Sequence, residues 1–398
     1  MTAAAHDPQA PHAFSRADSS SVGRWWWTVD HWLLGATLAL IGLGVLLCFG
    51  TSPSAASRLE ISFPFHFAVR QCVFAVGGIA ILLIVSMCDP KMVRRIAFVG
   101  YIIAIVAMAG LSILFGHAAK GATRWVEIAG FTLQPSEFMK PSLIVLVAWM
   151  FAEGQKGEGV PGVSIAFGLY VLAVGLLLIE PDIGQTVLIT VAFGAAFWMA
   201  GVPMSWVMAL GGAAVVGLTS TYFLFQHVAA RVQNFLSSDK TGDLQQVHRA
   251  GAAIAAGGLF GRGPGEGIMK RDVPDMHTDF AYSASAEEYG LWFSLILIAL
   301  FMFLTLRGLF KAMRLANPFE QIAAAGLFVL VGMQAFINIA VNLDLIPTKG
   351  MTLPFISYGG SSMLAVCLTM GMALALTRSN PGAYKSRGAF ARAGRFDG

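Results

Sequence analysis

"HWLLGATLALIGLGVLLCFGT", residues 31–51, decides the class of fold. The run contains no Asp, Glu, Lys or Arg. Coiled as a helix at about 1.5 Å per residue, it spans a hydrocarbon core roughly 30 Å thick. A helix also satisfies its own backbone hydrogen bonds, the condition for crossing a bilayer. Comparable runs recur along the chain, at approximately 66–88, 96–116, 138–152, 162–180, 184–201, 205–226, 281–306, 321–343 and 354–377. The whole chain of 398 residues is 56% hydrophobic and 12% charged, with a mean hydropathy of +0.69. A soluble domain carries about 25% charged residues. The expected fold class is therefore an all-α integral membrane protein with about ten transmembrane helices.

Ten spans place both termini on one side. Sorted by loop, the terminal side holds fourteen basic and eight acidic residues, a balance of +6, and the other side −2, which together give the net charge of +4. By the positive-inside rule the termini are expected in the cytoplasm. The resulting division is a cytoplasmic leader at 1–30, a polytopic membrane domain at 31–378 and a cytoplasmic tail at 379–398, with one long extracytoplasmic loop at 227–280. The leader has no early apolar core and no small-residue cleavage site, so no cleaved signal peptide is expected. Cys48, Cys72, Cys88 and Cys367 lie in or at the ends of apolar runs and read as small packing residues. Nothing in the sequence points to nucleic acid.

The long loop is rich in features. "VHRAGAAIAAGGLFGRG" (247–263) reads as a short amphipathic or re-entrant segment, and "GRGPGEGIMKRDVPDMHTDF" (261–280) follows it with four alternating glycines. Those glycines suit either a flexible hinge or a backbone cradle for an anion. No strand precedes them, which argues against a dinucleotide fingerprint. Lys120, Arg124, Lys140, Arg231, Arg249, Arg262, Lys270, Arg271 and Lys349 all fall on the outer side, where cations are normally sparse. An anionic partner is implied, either lipid headgroups or a substrate. These cations cluster with carboxylates in three loops, two of which, "KGATRWVEIAGFTLQPSEFMKPS" (120–142) and "NLDLIPTKGMTLPFISYGGSS" (342–362), are expected to enter helices through Pro135 and Pro354. "EPDIGQT" (180–186) reads as a turn capped by Asp182 rather than a catalytic pair. Asp279 stands where a polar loop meets an apolar helix, where partial desolvation raises a carboxyl's pKa toward that of a useful base. The competing reading is helix capping by Thr278 or Asp279.

"KGATRW" with "QPSEFMK", "EPDIGQT", "GGLFGRGPGEGIMKRDVPDMHTDF" with "AEEYG", and "PFISYGGSS" together resemble the SEDS family of polytopic peptidoglycan polymerases from about residue 30 to 378. The wording of the third motif looks like the cell-division branch, FtsW, rather than its close relative RodA. The resemblance implies a glycosyltransferase that polymerises lipid II, an undecaprenyl-diphosphate-linked disaccharide peptide, at the outer face of the cytoplasmic membrane. It implies a class B penicillin-binding protein of the FtsI type, other division proteins and membrane lipids as partners, and the division septum of the inner membrane as location. "DFAYSASAEE" departs from the more apolar run common in the family and leaves the start of the eighth helix open.

The family's catalytic Asp falls on Asp279. The candidate substrate-binding residues are Lys120, Arg124, Lys140, Arg249, Lys270, Arg271, His277, Lys349 and Ser357. The chemistry suits this set, because a sugar on a diphosphate already has a good leaving group and needs one base and several cations. A glycosidase-type pair needs carboxyls about 5–9.5 Å apart, whereas Asp279 and Glu287 would lie about 12 Å apart along a helix. Glu287 and Glu288 are expected against basic partners. No cofactor is indicated, with a divalent cation, Mg or Mn, the one left open. Trp125 and Phe131 read as interfacial anchors or as lipid and sugar contacts. Phe301, Phe303 and Phe310 are expected to give the partner an apolar surface. The rival classes are a lipid II flippase and a non-catalytic division scaffold. The absence of an internal repeat and the concentration of polar groups on one face favour the polymerase.

Overall fold

The computed structural model describes residues 20–115, 125–128, 131–157, 159–224, 229, 233, 243–269, 276–347 and 350–378. Among these, every apolar run becomes a helix. They are α2 (His31–Arg58), α3 (His66–Ser86), α4 (Pro90–Phe115), α5 (Pro135–Gln155), α6 (Gly162–Ile179), α7 (Ile183–Met199), α8 (Met204–Leu224), α10 (Ala281–Ala312), α11 (Pro318–Asn342) and α12 (Gly360–Leu376). A short α1 (Ser21–Thr28), a loop helix α9 (Asp243–Gly257) and a hairpin, β1 (Val126–Ile128) and β2 (Phe131–Leu133), complete the set. Six helices are long and apolar enough to cross a membrane: α2, α3, α4, α6, α10 and α11. Shorter apolar helices are α7, α8 and α12, and α5 carries Glu137, Lys140 and Glu153.

Helix starts follow local chemistry. Asp30, Asp182 and Asn317 each accept a backbone N–H of the first turn, at 3.0, 3.2 and 3.0 Å. Asp182 is thus a helix cap, as its turn suggested. Pro135 and Pro318 sit in the first turn, where a missing N–H costs nothing. The last apolar run differs from expectation: α12 begins at Gly360, not near 354. Phe355 has φ +66°, outside the helical region, and the Ser357 hydroxyl accepts the Leu353 N–H at 2.8 Å, so 354–359 is a capped turn and Pro354 starts no helix.

α11 is the axis of the bundle, packed by α5, α7, α10 and α12, and α12 lies along α3. α8 packs mainly on α7 and exposes most of its length. Trp25 of α1 is buried and donates to Ser86 Oγ at 2.9 Å, fastening the N-terminal turn to the end of α3. Of the three phenylalanines expected on the surface, Phe303 and Phe310 are exposed, but Phe301 is 4% exposed and belongs to the core. The nine residues from Phe301 to Phe310 make about two and a half turns at ~3.6 residues per turn, which places them on opposite faces.

α9 covers the mouth of the bundle. Its Val247, Ala250 and Ala253 pack against Met276, Phe280, Ala284 and Val341. Of the glycines that follow, Gly257 and Gly261 permit a close crossing of two backbones. α10 breaks at Gly290 (φ 79°, ψ −174°), and residues 258–263 cross the break main chain to main chain. Arg262 N–H donates to Glu287 O and Gly263 N–H to Glu288 O, both at 3.0 Å, while Leu291 N–H donates to Gly258 O at 2.9 Å. A Cβ on Gly257 would collide with Ala286 O, and one on Gly261 with Glu288 O. Two backbones approach this closely only through glycine.

Candidate functional site

The loop carrying Asp279 ends in a turn over 276–280, and α10 starts at Ala281 with Phe280 as its capping residue. The turn is gripped from α11. Asn338 Nδ2 and Asn342 Nδ2 both donate to the Asp279 carbonyl, at 2.9 and 3.0 Å. Asn342 Oδ1 accepts from Ser283 N–H and Oγ, at 3.1 and 2.7 Å, locking the first turn of α10 to the same amide. Asn338 Nδ2 also reaches Met351 O at 2.6 Å, so the 350s loop and the Asp279 turn share one clamp. Both amides are buried, where a paired amide fixes geometry firmly because an unpaired one is costly.

Around this turn, Asp279 is half-buried, and a methyl added at Gly350 would lie 3.7 Å from its Oδ2. The carboxylate therefore faces the backbone of the 350s loop. His277 O accepts the Tyr358 N–H at 2.8 Å, and the His277 ring sits 4.7 Å from Phe67 and 5.6 Å from Tyr358. Burial pushes the Tyr358 hydroxyl above the usual tyrosine range, opposed by the neighbouring Arg70. Arg70 was not among the expected residues, though a cation inside the apolar run 66–88 was a signal of it. The same signal marks Asn338, Asn342 and the interior polar group described next.

Lys140 is drawn inward. It is 2% exposed, and its Nζ lies 2.9 Å from both oxygens of Glu137 and 3.2 Å from Gln334 Oε1. An ammonium has three donors, and all three are used here, which leaves none for a diphosphate. Gln185 Nε2 donates to Glu137 Oε1 at 2.8 Å and Gln334 Nε2 to Thr352 O at 3.2 Å, so the pair runs from α5 through α7 and α11 to the 350s loop. Ser357 is likewise 4% exposed, and its hydroxyl oxygen accepts the Leu353 N–H within its own turn. Glu287 is buried and accepts the Ile268 and Met269 N–H groups at 2.7 and 2.8 Å, holding the loop next to the helix break. Arg249 is half-buried on α9. Lys120, Arg124, Lys270, Arg271 and Lys349 lie outside the described residues, as does Arg231. Among the described residues, no group of three or more His, Cys, Asp or Glu is assembled for a metal ion.

Comparisons with known proteins agree with this architecture. A family model described as "Cell cycle protein", covering FtsW, RodA and SpoVE, matches residues 31–381. The chain is 68% identical over 381 residues to a probable peptidoglycan glycosyltransferase FtsW of Caulobacter vibrioides, covering 96% of this chain and 97% of that protein. It is 34% identical to the protein of the same name from Geobacter metallireducens, over 87% and 93% of the two chains. A chain from a structure described as "Structural coordination of polymerization and crosslinking by a peptidoglycan synthase complex" shares the fold at TM-score 0.72 and 24% identity, over 88% of this chain and 98% of that one. The rod shape determining protein RodA of Thermus thermophilus shares it at TM-score 0.65 and 24% identity, over 88% and 97%. With a match over nearly its whole membrane domain, this chain belongs to the FtsW/RodA/SpoVE family of cell cycle proteins.

Proposed function

We infer that this chain is a peptidoglycan glycosyltransferase of cell division that polymerises lipid II, with Asp279 as the general base. The observation that carries the role of Asp279 is the clamp. A carboxylate on a turn whose carbonyl is held by two buried amides has a fixed position, and fixed position is what proton transfer requires. The acceptor sugar's hydroxyl oxygen bonds to the donor's anomeric carbon as its proton passes to Asp279. The bond from that carbon to the diphosphate breaks, and the lipid diphosphate departs with the electron pair. Cations stabilise the leaving charge. Arg70 is the described one beside the turn, and Arg124, Lys270, Arg271 and Lys349 remain candidates. A divalent cation, where the reaction uses one, is proposed to travel with the diphosphate, since no protein cage for it exists among the described residues.

The +6 against −2 charge split supports a membrane placement with both termini cytoplasmic and Asp279 outside, and the cell-cycle family supports the septum of the inner membrane as the location. The division into leader, membrane domain and tail follows the same split. An impermeant thiol reagent that labels a cysteine at Ser238 in intact cells, and not one at Ser386, tests that orientation. A penicillin-binding protein partner is supported by the peptidoglycan synthase complex of polymerization and crosslinking, one chain of which shares this fold.

The test of catalysis is Asp279→Asn, which keeps size and hydrogen-bonding shape but takes no proton at neutral pH. Labelled lipid II is polymerised by purified wild type and variant at matched thermal stability. Polymer is expected to fall by roughly 10²–10⁴-fold, as for a lost general base. Near-normal polymer would remove Asp279 as the base and favour a lipid carrier.

A further inference from the structure

The end of the bundle opposite Asp279 holds a second built feature. α11 runs from its Asn317 cap to the Asn342 clamp, 25 residues and about 37 Å. At its Asn317 end, the first turns of α4 and α11 and the last turns of α5 and α12 enclose a cavity of about 700 Å³. That is the size of a small-ligand site, which typically runs about 300–1,000 Å³. Its lining is two-sided, apolar at Phe319 and Leu376 and charged at Lys91, Arg94, Lys156 and Arg378 against Asp89, Glu153 and Glu320.

The charges are incompletely used. The Arg94 guanidinium is stacked between the Trp149 and Phe319 rings, 5.1 and 5.2 Å from their centroids. Its nearest anion is Glu153 Oε1 at 3.8 Å, too far for a hydrogen bond. Glu153 is already engaged by Trp149 Nε1 at 3.0 Å and Lys156 Nζ at 2.8 Å. Arg378 donates to Cys88 O at 3.1 Å and lies 3.6 Å from Asp89. Among the described residues, Lys91 and Glu320 have no ion-pair partner. Lys91, Arg94 and Glu320 thus stand in one cavity without hydrogen-bonded side-chain partners among the described residues, as does Asp89, 3.6 Å from Arg378, and the Arg94 guanidinium is oriented by two aromatic rings. A ligand that satisfies them carries both an anion and an ammonium.

We propose that this cavity binds the headgroup of an aminophospholipid. The phosphodiester takes Arg94 and Lys91, the headgroup ammonium takes Glu320, and the first methylenes of the lipid lie on Phe319 and Leu376. Helix ends sit at headgroup depth, and basic pockets between transmembrane helices are where lipid phosphates are held. The stacked guanidinium suits a phosphate, since its planar fork is pre-oriented. The apolar wall commits the site to a lipid rather than to a free phosphate.

The experiment is native mass spectrometry of the purified, delipidated full chain titrated with phosphatidylethanolamine, phosphatidylglycerol, phosphatidylcholine or free phosphoethanolamine. Wild type is expected to retain phosphatidylethanolamine roughly tenfold better than phosphatidylcholine, the size of one charge-assisted hydrogen bond. Lys91→Gln and Arg94→Lys should each lower that retention several-fold, about half to all of the same effect. Glu320→Gln should erase the preference over phosphatidylglycerol while leaving phosphatidylglycerol bound. Lys91 is exposed and Arg94→Lys keeps the charge, so both variants should keep the wild-type melting temperature. Equal retention of the three lipids by wild type, or retention indifferent to all three substitutions, overturns the proposal. Competition by phosphoethanolamine as strong as by the lipid overturns it in favour of a free-phosphate site.

Discussion

Replacing Gly290 by alanine probes the joint on which the site loop rests. At φ 79° and ψ −174°, Gly290 occupies a region of backbone space open essentially to glycine alone, and forcing another residue into it costs about 1–3 kcal/mol. An added Cβ would also meet Gly261 N, and would lie 2.6 Å from Leu259 O and from Phe260 C. All three are backbone atoms, so no rotamer change relieves the clash. The chain would have to part there, loosening hydrogen bonds from Arg262, Gly263 and Leu291 worth about 1 kcal/mol each. Together these terms give a loss of about 4–6 kcal/mol. At the 2–4 °C per kcal/mol of smaller proteins, and less in a longer chain, the melting temperature should fall by roughly 5–10 °C. The assay is tryptophan-fluorescence unfolding in detergent, paired with limited proteolysis of 258–269. Gly35→Ala, with open space around its Cβ, should be neutral, and Gly265→Ala, with φ +84° and nothing within 4 Å, should show only the strain. A Gly290→Ala protein that melts with wild type and resists protease equally would refute the docking argument.

Other outcomes follow from the same interactions. Burial pushes the Asp30 carboxyl up, but Arg307, the Leu33 N–H and Lys311 outweigh it and hold it at about 2. A depressed carboxylate stabilises above its ordinary pKa of 3.8, by about 2 kcal/mol, and that share is lost as pH falls through about 2. The melting difference between wild type and Asp30→Asn should be constant above pH 5 or so and vanish near pH 2; a gap that persists in acid would contradict it. Lys140→Met leaves the Glu137 carboxylate buried and unpaired, a loss of about 3–5 kcal/mol, much of which Glu137→Gln should restore in the double variant. A single variant as stable as wild type in thermal unfolding would show the pair to be dispensable. For the partner, α10 exposes Trp292, Leu295, Ile296 and Phe303. A cysteine at Ile296 should cross-link to a co-expressed penicillin-binding protein and one at the buried Leu297 should not, with equal yields refuting that face.

The bundle was legible because its signal is additive. Each apolar run announces a helix by length and composition, and no neighbour can change that reading. Ends were less legible where a tertiary contact decides them. Pro354 looked like a helix start by the rule that served for Pro135, yet Phe355 at φ +66° and the Ser357 cap make it a turn. α1 and the β1–β2 hairpin were missed, since a turn fixed by Trp25 on Ser86 and a three-residue ladder have no period of their own. Gly257 and Gly261 were seen, but the backbone crossing they permit lies at a helix break some thirty residues on, which spacing does not encode.

The site divides along the same line. Asp279 could be singled out because a motif and a polar-to-apolar boundary coincide there. Its support could not, because Asn338 and Asn342 reach it from a helix some 60 residues further along the chain. Their spacing of four residues puts both amides on one face of α11, and that face is what turns an exposed-loop aspartate into a placed one. Lys140 shows the converse: judged by loop and charge it belonged with the diphosphate cations, but about one and a half turns of α5 carry it among Glu137, Gln185 and Gln334. A cation with all its donors spent inside the bundle cannot also bind an outer anion without abandoning a buried carboxylate, a cost of several kcal/mol. Lys140 is thus committed to the interior, where its pair with Glu137 and the two amides hold the Asp279 turn and the 350s loop in place.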